Sequence, residues 1–331
     1  MNKLWFPVAS CLCLLPLEAM AAPGDPAPAD PNGILTLQGE NDAFSVPGTD
    51  ELYTSGLRIG YVTPTGVVPP VISSFGDQLL GAGTQRLEID VQQVIYTPTD
   101  TQAYRPDPRD RPYAAHLSID GQLISDTMGA RSFVGLSLGV VGPDALGQSV
   151  QNGFHELIGD TPNRGWRYQL HNEPTLDISG GKIWRDDLGS AGPIDFQVLP
   201  QVTGQVGNTE IYGQGGAIFR FGQGLDSDYG PPTIQPTLSG LDAYTPTRHF
   251  AWYIFGGALG RVVAHDMLVQ GNDFQSSAGV PLTPLQADVE VGAAAMLYGY
   301  RLSVVEVFET PEFHHSAPAF QYGSIALSAR F

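Results

Sequence analysis

The feature that most constrains this chain is a two-residue alternation of apolar and polar side chains that returns in segment after segment. In the last one, Gly323, Ile325, Leu327, Ala329 and Phe331 fall on one face and Ser324, Ala326, Ser328 and Arg330 on the other. Leu285, Ala287, Val289 and Val291 oppose Gln286, Asp288 and Glu290. Leu87, Ile89 and Val91 oppose Arg86, Glu88, Asp90 and Gln92. Leu57, Ile59 and Tyr61 oppose Gly56, Arg58 and Gly60, and Leu117 and Ile119 oppose His116, Ser118 and Asp120. A period of two is the period of a β-strand. A soluble sheet would bury the apolar set and put the charges in water. The reverse fits as well, with apolar residues toward lipid and charged residues in a polar lumen.

About twelve such segments can be counted, near 33–41, 53–64, 85–97, 113–125, 131–141, 170–184, 193–206, 209–221, 249–264, 284–298, 299–309 and 318–331. An even number near twelve is what a barrel with both termini on the periplasmic side requires. Tyr61, Tyr96, Tyr113, Trp184, Trp252, Tyr298 and Tyr300 lie near strand ends, as girdle aromatics would. The close on Phe331 resembles the terminal aromatic strand of bacterial outer-membrane barrels. The expected fold is all-β: a twelve-stranded antiparallel transmembrane β-barrel with a short helix in an extracellular loop. Under some assignments of the pairing, residues 42–52, 98–112, 222–248 and 310–317 are expected outside with that helix.

The remainder of the sequence sets the setting. Lys3, an apolar stretch from Leu4 to Leu17 and Ala19-Met20-Ala21 read as an export signal over residues 1–21, with Ala22 the first mature residue. Cys11 and Cys13 are the only cysteines and lie in that signal, so disulfide and thiolate chemistry are excluded from the mature chain. Residues 22–32 (APGDPAPADPN) read as a flexible N-terminal tail, and 33–331 as the barrel. The mature chain has no apolar run of 18 residues, so no transmembrane helix is expected. A net charge of −18 argues against nucleic acid as a partner.

One stretch breaks the alternation. Residues 142–169 (GPDALGQSVQNGFHELIGDTPNRGWRYQ) read as a helix from a cap at Asp144 to a stop at Gly159. Leu146, Val150, Phe154, Leu157 and Ile158 share one face, expected to pack on the outer barrel wall. Gln151 and His155, four apart, stack on its edge. A β-protein does not need this helix in order to fold.

Other polar groups would gather near it at the rim. Glu40-Asn41-Asp42 ends strand one, Tyr53-Thr54-Ser55-Gly56 opens strand two and Asp110-Arg111-Pro112-Tyr113-Ala114 opens strand four. Each has a plainer reading: turn chemistry for Asn41-Asp42, a rim salt bridge for Asp110–Arg111, a satisfied histidine for His155. His116 would point into the lumen, and His314-His315 lies in a late loop. With no G-x-S-x-G elbow and no H-E-x-x-H, serine-elbow and zinc hydrolases are set aside. A histidine that activates water beside a hard cation held by Asp and Asn oxygens stays open.

The motifs E-N-D (Glu40 to Asp42), Y-T-x-G (Tyr53, Thr54, Gly56), R-P-Y-A (Arg111 to Ala114) and G-P-D-A-x-G-Q-x-V-Q-N-x-x-H-x-x-I-G (Gly142 to Gly159) resemble the lipid A 3-O-deacylase family of Gram-negative outer membranes. The resemblance implies calcium-dependent hydrolysis of the 3′-acyloxyacyl ester of lipid A at a site between the barrel wall and a loop helix, facing outside. It implies His155 as general base and Asp42 with Asn41 at Ca²⁺. Thr54 and Gln151 would complete the shell around the carbonyl. The family's best-known member has a functional lysine between strands three and four. Pro98 to Asp110 has none, and Lys182 is the only lysine of the mature chain. Arg105, Arg109 or Arg111 would replace it, with Tyr113 beside them at the substrate, although arginine is not an equal point charge. The expected partners are lipopolysaccharide and the outer membrane, with the protein a monomer. Two other readings are a non-catalytic barrel (binding protein or narrow pore) and a calcium-dependent phospholipase.

Overall fold

The computed structural model describes residues 24–46, 49–314, 316 and 319–331. The expected signal, 1–21, lies outside them. The described strands are β1 (Ile34–Asn41), β2 (Leu52–Val62), β3 (Thr84–Thr97), β4 (Ala114–Asp126), β5 (Ala130–Val141), β6 (Glu173–Trp184), β7 (Ile194–Gly207), β8 (Glu210–Gln223), β9 (Phe250–Asp266), β10 (Leu285–Leu297), β11 (Tyr300–Glu309) and β12 (Phe320–Arg330). After Arg185, β6 continues as Asp186–Ala191, and both pieces pair with β7. Every strand pairs antiparallel with its chain neighbours, and β1 closes on β12 from Ile34↔Arg330 to Asn41↔Gly323. The result is a closed twelve-strand barrel. Closure leaves no strand edge, so each backbone N–H and C=O of the wall can pair within the sheet. Among the described residues no helix is long and apolar enough to cross a membrane.

The alternation resolves in the lipid-facing sense. Along β10, Gln286, Asp288 and Glu290 are buried while Leu285, Val289 and Val291 are exposed. Along β1, Thr36, Gln38 and Glu40 are buried while Leu35 and Leu37 are exposed. The lumen is thus a charged, hydrogen-bonded interior. Tyr61, Tyr298 and Tyr300 point outward as girdle residues would, but Tyr96 and Tyr113 are buried, 6% and 0% exposed: Tyr96 lies in the lumen against Gln235, and Tyr113 lies outside the wall, beneath the segment that carries Trp166.

Three placements differ from expectation. The segment between β8 and β9, expected outside, joins the strands at the end that holds the termini and enters the lumen. Its backbone N–H at Ile234 donates to Glu40 Oε1 at 2.9 Å, and Gln235 donates to the Tyr96 hydroxyl. Its polar composition reads as a water-exposed loop because a charged lumen asks for the same residue types. Residues 24–32 are held rather than free. Ala27 N donates to the Asp126 carbonyl, and buried Asp30 pairs with Arg330 at 2.6 Å and Arg86 at 3.0 Å. A helix that the alternation did not announce, α1 (Pro70–Leu80), lies between β2 and β3 at the same end.

At the opposite rim lies α2 (Gly147–Ile158), entered through a 3₁₀ turn at Pro143–Ala145. Asp144 is inside that turn and is not the cap. Leu146, in the left-handed region at φ 63°, takes the N-cap position, and Gly159 at φ 79° ends the helix as read. The expected packing face is largely inverted: of its five residues Val150 packs toward the wall, beside Ala145 and Trp166. Leu146, Phe154, Leu157 and Ile158 are exposed, and α2 buries Gly147, Gln151 and His155. A Cβ on Gly147 would meet Ala115 and Trp166, so only glycine lets the first turn lie this close to the wall.

Candidate active site

The site is built where three rim segments meet: the end of β1, the start of β2 and the buried face of α2. Asn41 caps a 3₁₀ turn at Asp42–Phe44, its Oδ1 accepting from Ala43 N at 2.8 Å. That turn folds Asp42 inward, leaving it 1% exposed. Its Oδ1 accepts from Ala43 N at 2.9 Å and its Oδ2 from Glu51 N at 2.8 Å. Burial, with Asp50 as a neighbouring carboxylate, outweighs these backbone hydrogen bonds and pushes the Asp42 carboxyl up to about 7.

Asp50 is the hub, and the motif reading did not single it out. Its Oδ1 accepts from Gln151 Nε2 at 2.7 Å, and its Oδ2 accepts from Asn163 Nδ2 at 2.5 Å. The same Oδ2 lies 3.7 Å from His155 Nε2, too long for a hydrogen bond but close enough for strong electrostatics. Burial raises the Asp50 carboxyl, while Asn163, His155 and Gln151 oppose the rise. Gln151 is fixed from its other side, since Trp166 Nε1 donates to its Oε1 at 2.8 Å. The His155 ring is fixed as well. Its Nδ1 sits 3.0 Å from the Thr161 carbonyl, which can only accept, so the proton belongs on Nδ1 and the lone pair on Nε2.

Thr54 supports this site from one step behind. Its Oγ1 bonds Thr97 Oγ1 at 2.8 Å, and the Thr97 hydroxyl donates to the Asp50 carbonyl at 3.2 Å. The β2–β3 register shifts between Tyr53 and Ser55, and Leu52 stands at φ 57°. A bulky residue in the left-handed region costs ~1–3 kcal/mol. Leu52 and Leu146 place that cost on the two chain segments that meet at the site.

The structure thus brings Asn41, Asp42, Thr54, Gln151 and His155 into one neighbourhood. It treats the residues expected at the substrate differently. Arg111 is 1% exposed, stacked 4.0 Å over the Tyr96 ring and paired with Glu312 at 2.8 Å. Its expected salt bridge with Asp110 is absent, and Asp110 instead accepts from the Thr99 and Arg111 backbone. Tyr113 is fully buried against Trp166, ring centroids 5.0 Å apart. Both are wall packing. Arg105 is exposed and lies against Tyr168, beside Arg167, which stacks on Tyr104 at 4.4 Å and Tyr168 at 4.6 Å. His116 lies in the lumen as expected, 2.9 Å from Thr175 Oγ1.

Asp50, Asn163 and Trp166 are the site residues that motif spacing missed. Asn163 and Trp166 fall in the stretch 142–169, while the only signal for Asp50 is its place in the sequence between Asp42 and Thr54.

A family model described as "Outer membrane protein LpxR" matches residues 7–331. Among solved structures, LpxR from Salmonella typhimurium superposes with a TM-score of 0.75 at 22% identity, covering 90% of this chain and 100% of that one. The beta domain of the Bordetella autotransporter BrkA gives a TM-score of 0.40 at 12% identity, covering 92% and 98% of the two chains. The translocator domain of NalP from Neisseria meningitidis gives 0.41 at 9% identity, covering 92% and 90%. No curated protein sequence matches the chain.

Proposed function

The chain belongs to the LpxR family of outer-membrane proteins, and from that premise we propose how it acts as a lipid A 3-O-deacylase: His155 activates a water that hydrolyses the 3′-acyloxyacyl ester, with Ca²⁺ at Asp42 and the site facing outside. The observation that carries this reading is the His155–Asp50–Gln151 arrangement on the buried face of α2. A neutral imidazole with its proton on Nδ1 offers Nε2 as a base. Nε2 takes one proton from water as the oxygen attacks the ester carbonyl. The imidazolium that forms lies 3.7 Å from the Asp50 carboxylate, which stabilises it. Breaking the ester C–O bond leaves a sugar alkoxide, and the proton held on Nε2 passes to it.

The residues at Asp42 suit a hard cation. A carboxylate 1% exposed, beside a second carboxylate, has no Lys or Arg within ion-pair distance among the described residues. Each Asp42 oxygen accepts one backbone hydrogen bond and keeps a further lone pair, and the Asn41 carbonyl oxygen stands beside them. A cation held there would polarise the carbonyl and balance the developing oxyanion. Arg105 and Arg167, exposed at the same rim, suit the phosphates of a lipopolysaccharide headgroup. The apolar outer face of α2 continues the lipid-facing belt, so the ester would reach the site from the membrane plane by a single chain acting as a monomer.

The pore reading loses its basis, because residues 228–244 and the charged side chains fill the lumen. Mass spectrometry of lipid A from cells expressing the protein, with and without calcium, tests the proposal. Loss of the 3′-acyloxyacyl mass in wild type and its retention in His155→Ala are expected. Fatty acid released from glycerophospholipid alone would move the assignment to a phospholipase. Full activity in His155→Ala would remove the base.

A further inference from the structure

Far from the rim site, a second group of carboxylates meets inside the barrel. Glu88 and Asp90 point inward from β3, and Asp242 reaches them from the inserted segment between β8 and β9. Their ligand oxygens all lie within 4.8 Å of one another, and the three residues are 0%, 2% and 0% exposed. Asp90 stands seven residues below Thr97 on β3, on the order of 20 Å from the rim. It is a separate place from the Asp42–Asp50 neighbourhood.

The charges there do not balance. Among the described residues, Arg58 is the only cation within ion-pair distance of the three. It lies 3.4 Å from Glu88, 3.6 Å from Asp90 and 2.6 Å from Asp242. Its Nε and Nη2 are shared with Gln38 Oε1. Arg131 is committed to Asp126 and to the Gly240 and Ala243 carbonyls, and Arg301 touches Asp242 only at its backbone oxygen. Asp120 faces Asp90 directly across β3–β4, adding a fourth acid. Buried charges in excess of their partners are expensive.

Two carboxylate oxygens make the point sharper. Asp90 Oδ1 and Asp242 Oδ2 are buried and accept no hydrogen bond; Arg58 Nη1 stands 3.6 Å from the first, and the second has no cation within ion-pair distance among the described residues. Both converge over the same Gly60, where a Cβ would collide with each of them. Gly60 thus leaves open the place where these two oxygens meet. A cavity of about 200 Å³ borders Arg58, Asp90 and Asp120, with room for waters to complete a coordination shell.

We propose that Glu88, Asp90 and Asp242 form a divalent-cation site for a hard ion such as Ca²⁺, which fastens the inserted segment to the barrel wall. Carboxylate oxygens plus water are the ligand set such an ion takes, and its two charges offset the acids that Arg58 leaves unmatched. The site is structural, and it is independent of the chemistry at His155.

The test uses the full chain in detergent, stripped with chelator and titrated with ⁴⁵Ca²⁺ by equilibrium dialysis. Asp90→Asn/Asp242→Asn and Gly60→Ala are each expected to lose one equivalent of Ca²⁺ or to bind it at least tenfold more weakly, while Asp42→Asn keeps that equivalent. Isotherms for both lumen variants identical to wild type, or loss of all Ca²⁺ binding in Asp42→Asn, would overturn the proposal. A readout that needs no lumen variant is hydrogen exchange in the Asp42→Asn chain. Added Ca²⁺ should slow exchange across 238–244, and unchanged exchange there would overturn it as well.

Discussion

The two helices α1 and α2 are amphipathic in the same sense and stand at opposite ends of the barrel. Each turns most of its large apolar residues away from the wall: Val71, Ile72, Phe75 and Leu79 on α1, and Leu146, Phe154, Leu157 and Ile158 on α2, where Val150 alone packs inward. Withdrawing a large apolar side chain from water is worth about 1.5–3 kcal/mol. Under the proposed membrane placement, both faces extend the lipid-facing belt. What they hold against the wall differs. α1 buries Gly76 against Leu123 and Gln85, with Gln85 Nε2 donating to the Ser73 carbonyl and to Asp77. α2 buries Gln151 and His155 on Asp50. The same outward amphipathicity thus serves one helix as an anchor only. In the other it frees the inner face to carry polar groups, which Asp50, Trp166 and Asn163 then satisfy.

Substitutions can break this contrast, and the largest effect is expected at His155. His155→Ala should lower deacylation by ~10²–10⁴-fold, the range for a lost general base, with the barrel still folded; turnover of lipopolysaccharide in vesicles measures it. Activity within tenfold of wild type would make α2 merely a second anchor. Asp50→Asn comes next. It removes the charge beside Nε2 and presents an amide to two amide donors, so a loss of about 10–100-fold is expected, as for other groups that orient a functional side chain.

The pH dependence tests Asp42. Its carboxyl is raised by burial from 3.8 to about 7, so the folded protein holds this proton more tightly than the unfolded chain. The contribution to stability is therefore greatest below about pH 4, declines as pH rises from 4 to 7, and levels off above 7. A cation takes the proton's place, so the rise in melting temperature on adding Ca²⁺ should be larger at pH 8 than at pH 5.5, and Asp42→Asn, which leaves the luminal carboxylates intact, should shrink that difference. The same difference in Asp42→Asn as in wild type would detach Asp42 from the metal. The smallest effects concern the outer faces. Phe154→Asp should reduce activity a few-fold by lifting α2 from the lipid, while Phe75→Asp on α1 should leave turnover unchanged. Equal losses in both would show that the helices differ less than their buried faces suggest.

Much of this molecule is legible in its sequence. Twelve strands were counted within a few residues of their observed ends, because inward and outward residues of a barrel alternate at a period that neighbours cannot disguise. Gly159 marked the end of α2, since a left-handed terminus favours glycine. The pairing of Gln151 with His155 followed from helical spacing. The start of α2 did not, because it depends on Leu146 entering the left-handed region, where a leucine is out of place. The inverted face of α2 was also hidden. A hydrophobic stripe states which side avoids water, and in a membrane protein that side can face lipid rather than protein.

The alternation alone determined a closed barrel with a polar interior, because period two divides every strand between two environments. It also supplied most members of the site, as short motifs at strand ends. Only the tertiary structure decided what those members do to one another. Asp50 became the hub because Gln151 and Asn163, more than a hundred residues away, converge on its carboxylate. Arg111 left the surface because Glu312, 201 residues away, and the Tyr96 ring enclose it. The segment at 228–244 changed from outer loop to luminal filling, since a charged interior and open water select the same side chains. Local periodicity reports the environment of each residue, whereas the partners that share that environment come from distant parts of the chain.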